Sequence, residues 1–227
     1  MSSHEPGHDF QRPYSLPAGA TEIVLVRHGS SSARAPDEEP FELVGGHSDP
    51  PLSSVGRLQA SAVCARLAGE HLDALFVSTL RRTAETAAPL AESEGLPRHV
   101  VDELREVNLG EWEGSFAARV AGRGPLVARL FAEQRWDVIP GAEPMKGFQA
   151  RVRDGLERVL DAVGPGRKAA AFVHGGVIAE ACRMVTDCRP LAFLYAENAS
   201  LTRLVHVQDG RWVMRGFNDV AHLAALR

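Results

Sequence analysis

Two histidines in this chain occupy the same kind of position. Val26-Arg27-His28-Gly29 and Val173-His174-Gly175-Gly176 each place an imidazole directly after an apolar run and before glycine. An apolar run that ends in charge and glycine reads as a buried strand opening into a loop. Ligands of open α/β sheets bind beyond the carboxyl ends of such strands. If the two strands are parallel neighbours, both rings face one crevice. A third strand candidate ends near Ser78 and runs into Leu80-Arg81-Arg82-Thr83, the opening of a helix. Guanidinium groups beside the free N–H groups of a helix start make an anion site. Two imidazoles, several guanidiniums and a helix start together suggest a phosphate pocket. Each feature alone has an ordinary explanation: a rim histidine, a solvated helix face, a tight Gly-Gly turn. Their joint occurrence at strand ends separates the two readings.

Other chemistries fit less well. No GxSxG nucleophile elbow occurs, and neither GxGxxG nor GxxxxGK[ST] is present. A metal held by His28, His174 and a carboxylate would be repelled by the neighbouring arginines, and no HxH or HExxH spacing exists. A metal site is therefore not expected.

The elements that must position these residues follow from periodicity and punctuation. Strands are expected at Glu22–Arg27, Leu72–Val77, Arg98–Val101 and Lys168–Val173. Helices are expected after Ser53-Ser54, over Leu80–Glu92, over Met145–Val163 and over Gly175–Val185, with serine available as a cap for the first. Leu201–Val207 and Arg211–Phe217, split by Gln208-Asp209-Gly210, read as a closing hairpin. Ser31–Pro51 holds Pro36, Pro40, Pro50 and Pro51 and reads as a long loop, a length usually associated with function. Strands alternating with helices predict an α/β fold, a mostly parallel central sheet flanked by helices. Residues 1–20 read as a flexible N-terminal arm and 21–227 as one domain. A helical insertion covers about 111–141 and carries Arg119, Arg123, Arg129 and Arg135. Those arginines could form a lid over a polyanion, though a solvated helix face is the simpler reading. Trp112 and Trp136 read as packing residues near the pocket.

Composition bounds the function. Of 227 residues, 44% are hydrophobic and 24% charged, an ordinary globular balance. Lys plus Arg against Asp plus Glu gives 25 − 29 = −4, which argues against nucleic acid as a partner. The apolar runs are far too short to span a membrane, and the first twenty residues lack the apolar core of a signal peptide. Cys64, Cys182 and Cys188 cannot all pair, so a disulfide scaffold is not expected. A cytoplasmic location is the natural expectation.

Several segments, taken in order, resemble the histidine phosphatase superfamily, which includes the cofactor-dependent phosphoglycerate mutases. Arg27-His28-Gly29 resembles its signature after the first strand. Gly46 to Ala60 looks like its loop and helix start. Ser78 to Ala87 looks like the segment whose phosphate-binding arginine falls on Arg82, and Leu104 to Gly114 like the segment whose first glutamate, Glu106, is the proton donor. Pro140-Gly141-Ala142-Glu143, His174-Gly175-Gly176 and Asn198-Ala199-Ser200 complete the series. The resemblance runs from about residue 22 to 218.

The resemblance implies a phosphoglycerate mutase-like fold and a metal-independent phosphomonoester hydrolase that needs no cofactor. His28 would be the nucleophile, Arg27, Arg82 and His174 would hold the phosphoryl oxygens, and Glu106 would act as general acid and base. Ser31 and Gly175 would add contacts to the substrate. Two further positions depart from the family. Arg34 stands where many relatives carry asparagine and could contact the substrate or, the simpler reading, point outward from the loop. Gly45 replaces a hydroxyl residue of the mutases, so a contact there would come from the backbone, though an ordinary turn explains it too. Where mutases carry a substrate-holding tyrosine this chain has Leu109, and where they carry a lysine it has Ala117; these departures favour a phosphatase over a mutase. A non-catalytic phospho-ligand binding module is the third alternative, but His28, Glu106 and His174 are all present. The expected partner is a small-molecule phosphomonoester, and the closing hairpin offers an edge for a homodimer.

Overall fold

A computed structural model describes residues 14–33, 39 and 41–226. Arg34 and residues 1–13 lie outside the described residues. The elements are β1 (Thr21–Arg27), β2 (Leu43–Val44), β3 (His47–Ser48), α1 (Ser54–Leu67), β4 (Ala74–Val77), α2 (Arg81–Glu94) and β5 (Arg98–Val100). They continue with α3 (Phe116–Ala121), α4 (Pro125–Glu133), α5 (Met145–Val163), β6 (Lys168–Val173), α6 (Gly175–Thr186), β7 (Leu201–His206) and β8 (Trp212–Asp219).

Six strands form one sheet in the order β5-β4-β6-β1-β7-β8. β5, β4, β6 and β1 are parallel, whereas β7 runs antiparallel to both β1 and β8. Alternation along the central strands divides the core in two, because successive side chains of a strand face opposite ways. Ile23, Leu25, Ala169, Ala171 and Val173 pack with Phe148, Val152, Leu156 and Val159 of α5 and with Val177 and Ile178 of α6. Val24, Val26, Ala170 and Phe172 pack on the other face with Val63 and Leu67 of α1 and Leu90 of α2. The apolar positions of α5 recur at i, i+4, i+8 and i+11, the stripe that one face of a helix needs to cover a sheet. Removing one such buried side chain (Leu156→Ala, for instance) costs about 2–5 kcal/mol.

The loop after β1 is less open than its prolines imply. β2 and β3 pair antiparallel inside it, and Ser31 bridges to Leu52. The two-residue connection uses Gly45 and Gly46 at φ 57° and 83°, backbone that glycine adopts without the Cβ penalty. This loop then delivers Ser53 to the start of α1, where its hydroxyl accepts the Gly56 N–H at 3.0 Å. On the other side of the chain, Tyr14 lies under the Arg215 guanidinium and Ala20 is fully buried.

Candidate active site

β1 and β6 pair in register from Glu22↔Lys168 to Arg27↔Val173, so the next residue of each strand is a histidine. The two rings therefore sit side by side, with centroids 5.2 Å apart. His28 Nδ1 lies 2.8 Å from the Gly29 carbonyl, which can only accept. In the neutral ring Nδ1 therefore carries the hydrogen and Nε2 the lone pair. Arg82 Nε, 3.3 Å away, donates to that same Nε2. Burial, then the charges of Arg82 and Arg27, hold the His28 imidazole well below the usual histidine range, against the opposing pull of the Gly29 bond. Such a ring presents an unprotonated Nε2 beside Arg82.

His174 is fully buried at the start of α6. Its Nε2 lies 2.7 Å from Ser78 Oγ, whose lone pair takes the Leu80 N–H at 3.2 Å. Thr83 Oγ1 donates to the Leu80 carbonyl at 2.8 Å and lies 3.2 Å from Ser78 Oγ. Nδ1 of His174 is buried and has no hydrogen-bond partner among the described residues, and the same holds for Arg27 Nε. Burial, followed by the charges of Arg82 and its neighbours, pushes this ring far down as well. Arg82 itself is anchored at 2.9 Å on the Ser48 carbonyl of β3 and lies 3.7 Å from Asp49.

Glu106 faces these groups from the loop before the insertion. Its carboxylate accepts the Val107 N–H at 3.0 Å and the Gly176 N–H at 3.2 Å. A Cβ on residue 176 would fall 2.5 Å from the carboxylate, so any larger residue there displaces Glu106 from this position. His28, Ser31, His47, Arg82 and Glu106 line one pocket of about 200 Å³. Among the described residues, no group of three or more His, Cys, Asp or Glu side chains could hold a metal ion. No helix among them is long and apolar enough to cross a membrane.

The family model for the histidine phosphatase superfamily (branch 1) matches residues 23–220. The chain belongs to the histidine phosphatase superfamily. It is 30% identical to the metal-independent phosphoserine phosphatase of Arabidopsis thaliana over 91% of this chain and 84% of that one. It is 32% identical to phosphoserine phosphatase 1 of Hydrogenobacter thermophilus over 88% of this chain and 93% of that one. The fold matches a crystal structure of phosphoglycerate mutase from Bacillus anthracis with TM-score 0.74 and 24% identity, over 91% of this chain and 96% of that chain. The chain is thus an enzyme of the phosphatase kind within this superfamily.

Of the residues that the sequence singles out, Arg27, His28, Arg82, Glu106, His174 and Ser31 come together around this histidine phosphatase pocket. Gly175 opens α6 with its Cα side against Arg27. Gly45 stays in the β2–β3 turn, where its carbonyl lies 3.0 Å from His47 Nδ1.

Sequence reasoning did not single out the groups that hold these residues. The His47 ring bridges the Gly45 carbonyl and the Glu106 carbonyl, the latter at 2.9 Å. Arg151, on α5, donates to the carbonyls of Glu103, Arg105 and Glu106, and its fork also meets both Glu143 oxygens at 2.7 Å. Asn198 donates to the His28 carbonyl at 2.9 Å. Asn198 and Glu143 lie in segments that carry the family resemblance. Arg151 has no such signal, because it is one arginine among several on an amphipathic helix.

Proposed function

We propose that the protein hydrolyses phosphomonoesters through a phosphohistidine at His28. The observation that carries this reading is the His28 ring itself, with Nδ1–H tied to the Gly29 carbonyl and Nε2 unprotonated beside Arg82. In the first step Nε2 attacks phosphorus in line, the phosphorus–oxygen bond to the leaving group breaks, and Glu106 gives its proton to the departing oxygen. In the second step water attacks phosphorus, Glu106 takes the water proton, and the phosphorus–nitrogen bond breaks to return the neutral imidazole and inorganic phosphate. Two moderate barriers replace one of the slowest reactions in water, which enzymes accelerate by up to about 10²¹-fold.

Arg27, Arg82 and His174 bind the non-bridging oxygens throughout. The buried nitrogens without a partner among the described residues, Arg27 Nε and His174 Nδ1, support that assignment. Glu106 needs its backbone N–H partners to hold it where a leaving oxygen departs, and proton transfer of this kind contributes about 10²- to 10⁴-fold.

The test is phosphate release from a panel of phosphomonoesters in EDTA, comparing the wild type with His28→Ala. Release that survives the chelator and disappears in the variant is expected. Isomerisation of 3-phosphoglycerate without release would make the chain a mutase. Full activity in His28→Ala would sink the phosphohistidine route.

A further inference from the structure

Beyond Glu106 the site opens into a second cavity of about 450 Å³, within the size range of small-molecule pockets. Glu106, Val107 and Leu109 line both this cavity and the phosphate pocket. The following step rests on the phosphatase reading above. A general acid that protonates the leaving oxygen lies between the phosphoryl group and the departing alcohol, so this cavity is where the alcohol sits.

The walls of the cavity are apolar. Phe116 and Val120 project from the same face of α3, one turn apart, and Trp136 and Leu194 complete the enclosure with Val107 and Leu109. The Phe116 ring lies 5.8 Å from the Trp136 ring and 6.3 Å from the Trp112 ring, an aromatic cluster at the floor of the lobe. Among the described residues, the charged side chains on this lining are Arg27 and Glu106. Arg27 is already engaged with the Ala196 carbonyl and serves the phosphoryl oxygens.

The arginines of the lobe do not supply a cation. Arg129 pairs with Glu133 at 2.5 Å and Arg135 with Asp137 at 2.7 Å, both more than half exposed, while Arg119 and Arg123 are exposed. A carboxylate on the leaving group would enter this space facing Glu106, with no countercharge to repay its lost hydration. An aromatic ring would instead meet Phe116 and Trp136 in the arrangements such rings prefer.

We propose that the preferred substrates are phosphomonoesters of uncharged arylalkyl alcohols, with the ring seated between Phe116, Val120 and Trp136. The test compares 2-phenylethyl phosphate with phosphoserine in phosphate release. Calorimetry compares two phosphonates that cannot be hydrolysed, 3-phenylpropylphosphonate and 2-amino-4-phosphonobutyrate. Serine's hydroxyl is the better leaving group of the two alcohols, so a preference for the aryl ester reports the cavity rather than intrinsic reactivity. The expected result is kcat/KM at least about tenfold higher for 2-phenylethyl phosphate, with tighter binding of the phenylpropyl compound.

Ala117→Lys and Val120→Lys each add a cation beside the cavity and are expected to shift both ratios toward the carboxylate-bearing compounds. Equal or better use of phosphoserine, with release from both esters, overturns the substrate assignment and leaves the phosphatase reading intact. Release from neither ester overturns the phosphatase reading. In that event the phosphonate ratio alone decides the cavity, and tighter binding of the aminophosphonobutyrate overturns the assignment.

Discussion

His28 and His174 follow strands paired residue by residue at the centre of the sheet, whereas the far side of Glu106 is walled by α3, a helix of six residues without one fully buried side chain. The first region is polar, fixed by backbone carbonyls, and surrounded by core on both sheet faces. The second is apolar, and its lobe carries exposed charge on the outside. The difference separates two tasks. Holding a phosphoryl group requires donors placed to fractions of an ångström, which paired strands provide. Accepting an alcohol requires only volume and a matching surface, which a short helix can change without disturbing the sheet.

This contrast can be broken most sharply at Glu106. Glu106→Gln is expected to lower kcat for an alkyl phosphate by about 10²- to 10⁴-fold. With p-nitrophenyl phosphate, whose leaving group needs no proton, it should give a burst of nitrophenol followed by slow turnover. Loss of the burst to the same degree would remove Glu106 from the proton-donor role. A smaller effect is expected at Arg151, the positioning residue behind Glu106. Arg151→Lys keeps the charge but loses the fork that meets three carbonyls and Glu143. It should lower kcat by about 10- to 100-fold for every ester, shift the pH profile, and leave the ratio between substrates unchanged. A changed ratio would mean that the two regions are not independent.

The smallest effect is on stability. Both imidazoles are held well below the ordinary histidine value in the folded protein, mainly by burial. Between the folded and unfolded pKa values the unfolded chain binds more protons, so stability rises with pH there and falls as acid is added below about pH 6.5. Each ring contributes at most about 1.4 kcal/mol per pH unit to that slope. Denaturant unfolding without phosphate from pH 7 to pH 5 is expected to show a shallower slope in His28→Ala than in wild type. An unchanged slope would mean that the ring is solvated rather than desolvated in the folded state.

The long amphipathic and all-apolar segments were legible in the sequence because their patterns are strong. Met145–Val163 and Lys168–Val173 form the elements that their periodicity predicts, with the same bounds. The β2–β3 pair was not legible, since two residues per strand carry no period and the prolines around them point to loop. Leu72 and Asp73 precede β4 rather than belonging to it, and the Asp73 carboxylate takes the Lys168 N–H at 2.8 Å.

The two histidines announced themselves by ending similar strands. Glu106 entered only through the resemblance, because a glutamate in a loop has no signature of its own. Arg151 stayed hidden because its role depends on α5 crossing the loop around residues 103–106, a contact between segments that local pattern does not encode.

The register between β1 and β6 has a consequence for assembly. One strand lies near the beginning of the chain and the other well into its second half, and the proposed phosphate site exists only where they meet. Distant pairings of this kind close late, after the entropy of a long loop has been overcome. A partly folded chain therefore has both histidines but not the site they form together. On the proposed mechanism inorganic phosphate, the product, binds the completed sheet and by mass action stabilises the fold. The anion thus distinguishes finished molecules from unfinished ones.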